Sequence, residues 1–152
     1  MTANTILFND NWQFCLTDID EIKDIGELPE RHWYNVEIPH DWLIGNTAEL
    51  YKSGEGWYRK TLTADAEMLS GRVLINFDGV YMDSALYVNG KEAGGNTYGY
   101  SAFEIDITDL LHEGDNKLLV RVRHRSPNTR WYSGAGIFRD VELKTRPTTY
   151  IK

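Results

Sequence analysis

An all-β fold, an antiparallel β-sandwich of jelly-roll type, is what the sequence predicts, on three observations. Apolar side chains recur at every second position over most of the chain, the period of strands that each bury one face. An Asn-Gly pair stands between two such runs, the residues a tight hairpin turn requires. Helical spacing is confined to two short stretches, while Gly, Asn and Asp recur as turn residues between the runs,. Ligands of such sandwiches usually meet loops at one end.

In chain order, DIDEIKDIGELPE carries Ile19, Ile22 and Ile25 at three-residue spacing, a thin helical signal,. WYNVEIP and GWYRKTLTA supply two strands. In GRVLINFDGV, residues 71 to 80, Val73, Ile75 and Phe77 share one face and Leu74 falls on the other, so both faces are partly covered,. Asn89-Gly90 joins Leu86-Tyr87-Val88 to Lys91-Glu92-Ala93 as a type I′ hairpin,. Asp106 to Leu111 is room for one capped turn,. In NKLLVRVRH, Leu118, Val120 and Val122 alternate with Lys117, Leu119, Arg121 and Arg123, and a last strand runs from about Phe138 to Lys144,. Residues 1 to 146 make one domain, and 147 to 152 read as the start of a linker, because Pro147 cannot donate to a ladder and two threonines follow,.

A chain of 152 residues, 41% hydrophobic and 26% charged, can bury about 70% of its unfolded surface around one core. Its net charge of -7 argues against nucleic acid and anionic membrane as partners. No stretch approaches the roughly 20 apolar residues of a membrane span, and the N-terminus lacks the pattern of an export signal,. One cysteine, Cys15 in the run FCL, forbids an internal disulfide and reads as a small buried hydrophobe,. The expected location is cytoplasmic. Five Trp and nine Tyr serve either the core or a ligand with flat apolar faces.

No nucleophile elbow, phosphate loop or zinc-protease motif occurs,. His32, His40, His112 and His124 are scattered without metal-ligand spacing, so no metal and no cofactor is assigned,. Two facing carboxylates could cleave a glycosidic bond, and Asp41, Glu55, Asp78, Asp83 and Asp140 lie near aromatics. Turn formation and surface pairing account for Asp78 and Asp140 without catalysis. Two stretches stand apart. IPHDWLIG displays His40, Asp41 and Trp42 after a strand, and NTRWYSGAGIF displays Arg130, Trp131 and Tyr132 ahead of Gly134 and Gly136. Aromatic faces stack on the C–H side of a pyranose, and Asp with Arg binds vicinal hydroxyls through charge-assisted hydrogen bonds. The same residues could instead pack the sandwich end, with Asp41 and Arg130 paired to each other or to backbone.

The ordered motifs GWYRKTL, FDGVYMDSALYVNGKEAGGNTYGYSAFEIDIT, NKLLVRV and RWYSGAGIFRDV closely resemble the N-terminal sugar-binding domain of family 2 glycoside hydrolases. The resemblance runs from about Trp12 to Lys144, and PHDW together with RWYSGAGIFRDV looks more like the β-galactosidase branch than the β-glucuronidase branch. It implies a galactose-binding-domain-like jelly roll at the head of a retaining exo-glycosidase, followed by an immunoglobulin-like domain and a TIM barrel that carries both catalytic glutamates. The fragment alone is then expected to be inactive. It further implies that Asp41 accepts from a sugar hydroxyl, that Arg130 donates to one or clamps Asp41, and that Trp131 and Tyr132 form pocket wall or domain interface; Trp42, displayed beside Asp41, is the remaining candidate for substrate binding. Some members place an acidic residue at the position of Arg130 for a sodium and sugar site, so no ion site is carried over.

Three readings follow: a pocket-forming domain of an enzyme acting on terminal β-galactosides, an independent carbohydrate-binding module, or a structural domain of a β-glucuronidase- or β-mannosidase-like enzyme. In the first, a surface normally covered by partner domains would be an apolar patch able to drive homo-oligomer formation.

Overall fold

A computed structural model of the chain describes residues 3–30, 32–43, 54–97, 99, 101–124 and 135–148. Arg130, Trp131, Tyr132 and Gly134, and residues 149 to 152 of the expected linker, lie outside the described residues.

The strands are β1 (Asn4–Leu7), β2 (Trp12–Thr17), β3 (Tyr34–Val36), β4 (Gly54–Ala64), β5 (Arg72–Phe77), β6 (Val80–Tyr81), β7 (Asp83–Val88), β8 (Lys91–Asn96), β9 (Phe103–Asp106), β10 (Gly114–His124), β11 (Gly136–Ile137) and β12 (Val141–Arg146), with one short helix, α1 (Ala66–Leu69). Among the described residues they form a four-stranded sheet in the order β1-β12-β5-β9, a six-stranded sheet in the order β3-β2-β4-β10-β7-β8, and the small pair β11-β6. All of these pairings are antiparallel. The two larger sheets enclose the core, so the fold is the all-β sandwich the alternation predicts.

The core follows the period-two reading. Val73, Ile75 and Phe77 from β5 meet Leu118, Val120 and Val122 from β10, and Phe14, Tyr58, Leu86 and Leu143 complete the contact. Leu74 is buried on the opposite face of β5, the second covered face its position predicts. The hairpin turn is as read, with φ of 51° at Asn89 and 85° at Gly90, the pair of positive angles a type I′ turn needs.

Three local expectations change. The last strand begins at Val141 rather than Phe138, because the Asp78 N–H donates to the Asp140 carbonyl and Phe138 folds against Gly79, where a Cβ would stand 2.8 Å from its ring. The isoleucine-spaced stretch forms only a 3-10 turn at Ile25–Glu27, capped by the Asp24 carboxylate. Asp20 at φ 61° breaks any longer helix,. Helix α1 adds a turn where the sequence shows no helical spacing, and Asp65 caps it by accepting from the Met68 N–H at 2.8 Å,.

Candidate functional site

The described parts of the two stretches that stood apart in the sequence meet at one end of the sandwich. Residues 38 to 42 run beside 135 to 137, with His40 N–H donating to the Ile137 carbonyl at 2.8 Å and Trp42 N–H to the Ala135 carbonyl at 3.0 Å. Asp41 fastens the junction: its Oδ1 accepts from its own loop, Leu43 N–H at 2.9 Å, and from the far segment, Ala135 N–H at 3.0 Å. The first bond is an Asx turn, the second a cross-link between segments 94 residues apart,. Gly136 permits this approach. Its φ is 128°, and a Cβ there would stand 2.5 Å from both the His40 carbonyl oxygen and the Tyr58 hydroxyl,.

Beneath the loop lies an aromatic bed. The Trp42 indole rests across β4, where a Cβ on Gly56 would come within 2.4 Å of it, and it packs on Phe14 at 5.5 Å between centroids. The glycines of GEGWY thus clear space for Trp42, a signal visible in the sequence only once the partner is known. His40 packs on Phe14 at 4.8 Å and shares a 2.7 Å hydrogen bond between Nδ1 and the Tyr58 hydroxyl. Trp42 is therefore a support for the loop, packed against the core and partly buried.

Burial, the dominant influence, holds His40 below the ordinary histidine value of 6.5, while the adjacent Asp41 carboxylate pulls the other way,. The folded state thus resists a proton that the unfolded chain accepts. The contribution of neutral His40 is complete above pH 6.5 and is lost as pH falls from there through the lower folded value. Urea melts of the wild type and of His40→Gln at about pH 8 and about pH 5.5 are expected to differ less at the acid end; parallel curves would show that His40 does not set this dependence.

The remaining candidates divide. Asp78 accepts from the Asn76 amide at 2.8 Å, and Asp140 from the Asn9 amide at 2.9 Å, both shaping turns. Cys15 is buried on β2, and burial pushes its thiol above the ordinary range, as a packing residue would have it. His32 and His112 are exposed, whereas His124 is buried at the end of β10.

Glu55 is the surprise. Fully buried at the start of β4, it takes the Arg123 Nε–H at 2.8 Å and the Asp20 N–H at 3.1 Å on Oε1. Arg123 also reaches Asp20 Oδ1 at 3.2 Å. Glu55 and Arg123 are register partners across β4 and β10, next to the ends at which the chain enters residues 44–53 and 125–134. Sequence reasoning named Glu55 as a carboxylate near aromatics and missed Arg123, since only the register pairs them.

Residues 28–147 match the family model described as "Glycosyl hydrolases family 2, sugar binding domain". A putative β-glucuronidase of Formosa agariphila is 36% identical over 95% of this chain and 15% of its own length. The β-galactosidase BoGH2A of Bacteroides ovatus is 39% identical over 92% of this chain and 18% of its own length. A crystal structure of a glycosyl hydrolase family 2 member from Bacteroides cellulosilyticus superimposes with a TM-score of 0.78 at 34% identity, covering 94% of this chain and 21% of that one. The chain spans about a fifth or less of these relatives. It belongs to glycosyl hydrolase family 2, as the sugar-binding domain of that family.

Proposed function

We propose that this domain forms one lip of the sugar pocket in a retaining exo-glycosidase, while the reacting carboxylates come from a barrel outside these residues. Asp41 carries the reading. It sits where residues 38 to 42 and 135 to 137 join, at the loop end of the sandwich, with a carboxylate already oriented by two backbone donors,. Asp41 would accept from a sugar hydroxyl and Arg130 would donate to one, with Trp42, Trp131 and Tyr132 as wall. Residues 147 to 152 would begin the connection to the next domain.

The substrate we favour is a terminal β-galactoside, in line with the name of the Bacteroides ovatus relative. A β-glucuronide is the second reading, since the Formosa agariphila relative is named for that activity. In the hydrolase that carries this domain, p-nitrophenyl β-galactoside is expected to be cleaved in preference to the β-glucuronide. Arg130→Ala should lower kcat/KM by at least about tenfold, the scale of one charge-assisted hydrogen bond. Wild-type activity in Arg130→Ala, or cleavage of neither substrate, would overturn the reading. The isolated domain should show no measurable heat with galactose, because half of the pocket is absent.

A further inference from the structure

A second concave site lies on the outer face of the six-stranded sheet, the side turned away from the core and from His40 and Trp42. Its floor is one cross-strand row, Gln13, Arg59, Leu119 and Tyr87, contributed in register by β2, β4, β10 and β7. Its wall is the segment that crosses this face after β2, with Ile25, Leu28 and Trp33 turned to the groove. The cavity measures about 1070 Å³, just above the roughly 300–1,000 Å³ range of small-ligand sites. It is larger than one sugar ring needs.

The groove is built rather than incidental. The Trp33 indole N–H donates to the Pro29 carbonyl at 2.6 Å, and the Arg59 guanidinium lies 4.1 Å over its ring. Arg59 Nε–H donates to Gln13 Oε1 at 2.7 Å, and the Gln13 amide reaches Asn35 at 3.4 Å. Tyr87 is held at its hydroxyl by Arg121 at 3.3 Å. Two fixed aromatics thus stand at either side of a row about 10 Å long, two strand spacings from β4 to β7. Between them, the terminal nitrogens of Arg59 and the Lys117 ammonium make no hydrogen bond to described residues.

We propose that this groove binds a short stretch of a neutral oligosaccharide chain, with Trp33 and Tyr87 as stacking surfaces and Arg59 and Lys117 as donors to its hydroxyls. The chemistry selects this class. Cations line the groove together with Glu30 and Glu37, so it offers donors and acceptors in near balance, which suits a polyhydroxyl ligand better than an anion. An extended peptide finds no backbone partners, because β2, β4, β10 and β7 are paired on both sides,. The site is independent of the lip at Asp41. Arg59 lies four residues along β4 from Glu55 and faces outward.

Calorimetric titration of the protein with β-1,4-galactotetraose, cellotetraose and galactose tests the inference. At least one tetrasaccharide should bind at sub-millimolar to millimolar concentration, and galactose should not. Lys117→Ala, at an exposed position and expected to leave the thermal midpoint unchanged, and Tyr87→Ala, at a half-buried one and titrated at a temperature where the variant is folded, should each weaken binding, Tyr87→Ala by about tenfold or more. Asp41→Asn should leave it intact. The inference is overturned if neither tetrasaccharide binds, if binding survives both groove substitutions, or if Asp41→Asn abolishes it.

Discussion

Arg123→Leu is expected to destabilise the domain by about 3–5 kcal/mol, the usual cost of stranding one member of a buried ion pair. For a domain of this size that is a fall of about 10 °C in thermal midpoint. The expectation rests on asymmetry. Glu55 has no exposed surface, whereas the Arg123 side chain retains 23%, so loss of the arginine leaves a carboxylate in the interior with the Asp20 N–H as its remaining partner among the described residues. Glu55 Oε2 is already buried without a hydrogen bond to described residues. The pair is thus not optimally solvated by protein, and replacing both members should cost far less than replacing one: Glu55→Leu with Arg123→Leu is expected to recover most of the loss. Chemical denaturation of the two single variants and the double closes the cycle. If Arg123→Leu lies within about 0.5 kcal/mol of wild type, the value of an ordinary surface change, the pair does not hold this end of the sheet together.

How much of this was legible in the sequence depends on which force decided each element. Where one face is buried and the other wet, as in β10, alternation names the inward residues, and Leu118, Val120 and Val122 are inside as read. The Asn89-Gly90 turn was legible because its backbone angles leave few other residues possible. β2 was not read as a strand because both its faces are covered: Trp12 and Phe14 enter the core, while Cys15 is buried on the other side, so WQFCLT does not alternate. The segment after β2 shows helical spacing, yet it forms a single 3-10 turn from which Ile25 lines an outer groove. That outcome is set by the sheet beneath it rather than by local propensity.

The candidate site was half legible. Composition and turn chemistry singled out PHDW and GAGIF separately, but their junction through Asp41 Oδ1 and the close approach at Gly136 are long-range contacts that no spacing encodes. The Glu55 and Arg123 pair was invisible for the same reason. Charged residues on strands read as solvent-facing until the register sets them side by side under a covering segment.

Asp41→Asn separates the two roles this residue could play. Asparagine keeps a carbonyl oxygen that can accept from both the Leu43 and Ala135 N–H groups, so the loop junction and the thermal midpoint should be preserved. It removes the charge that would strengthen a hydrogen bond to a sugar hydroxyl. The most direct test of the pocket-lip account is therefore kcat/KM of Asp41→Asn in the whole hydrolase, read beside its thermal midpoint. The account predicts a loss of at least about tenfold with the midpoint unchanged. Activity equal to wild type in an equally stable enzyme would contradict it, and would leave Asp41 as a fastener between two loops.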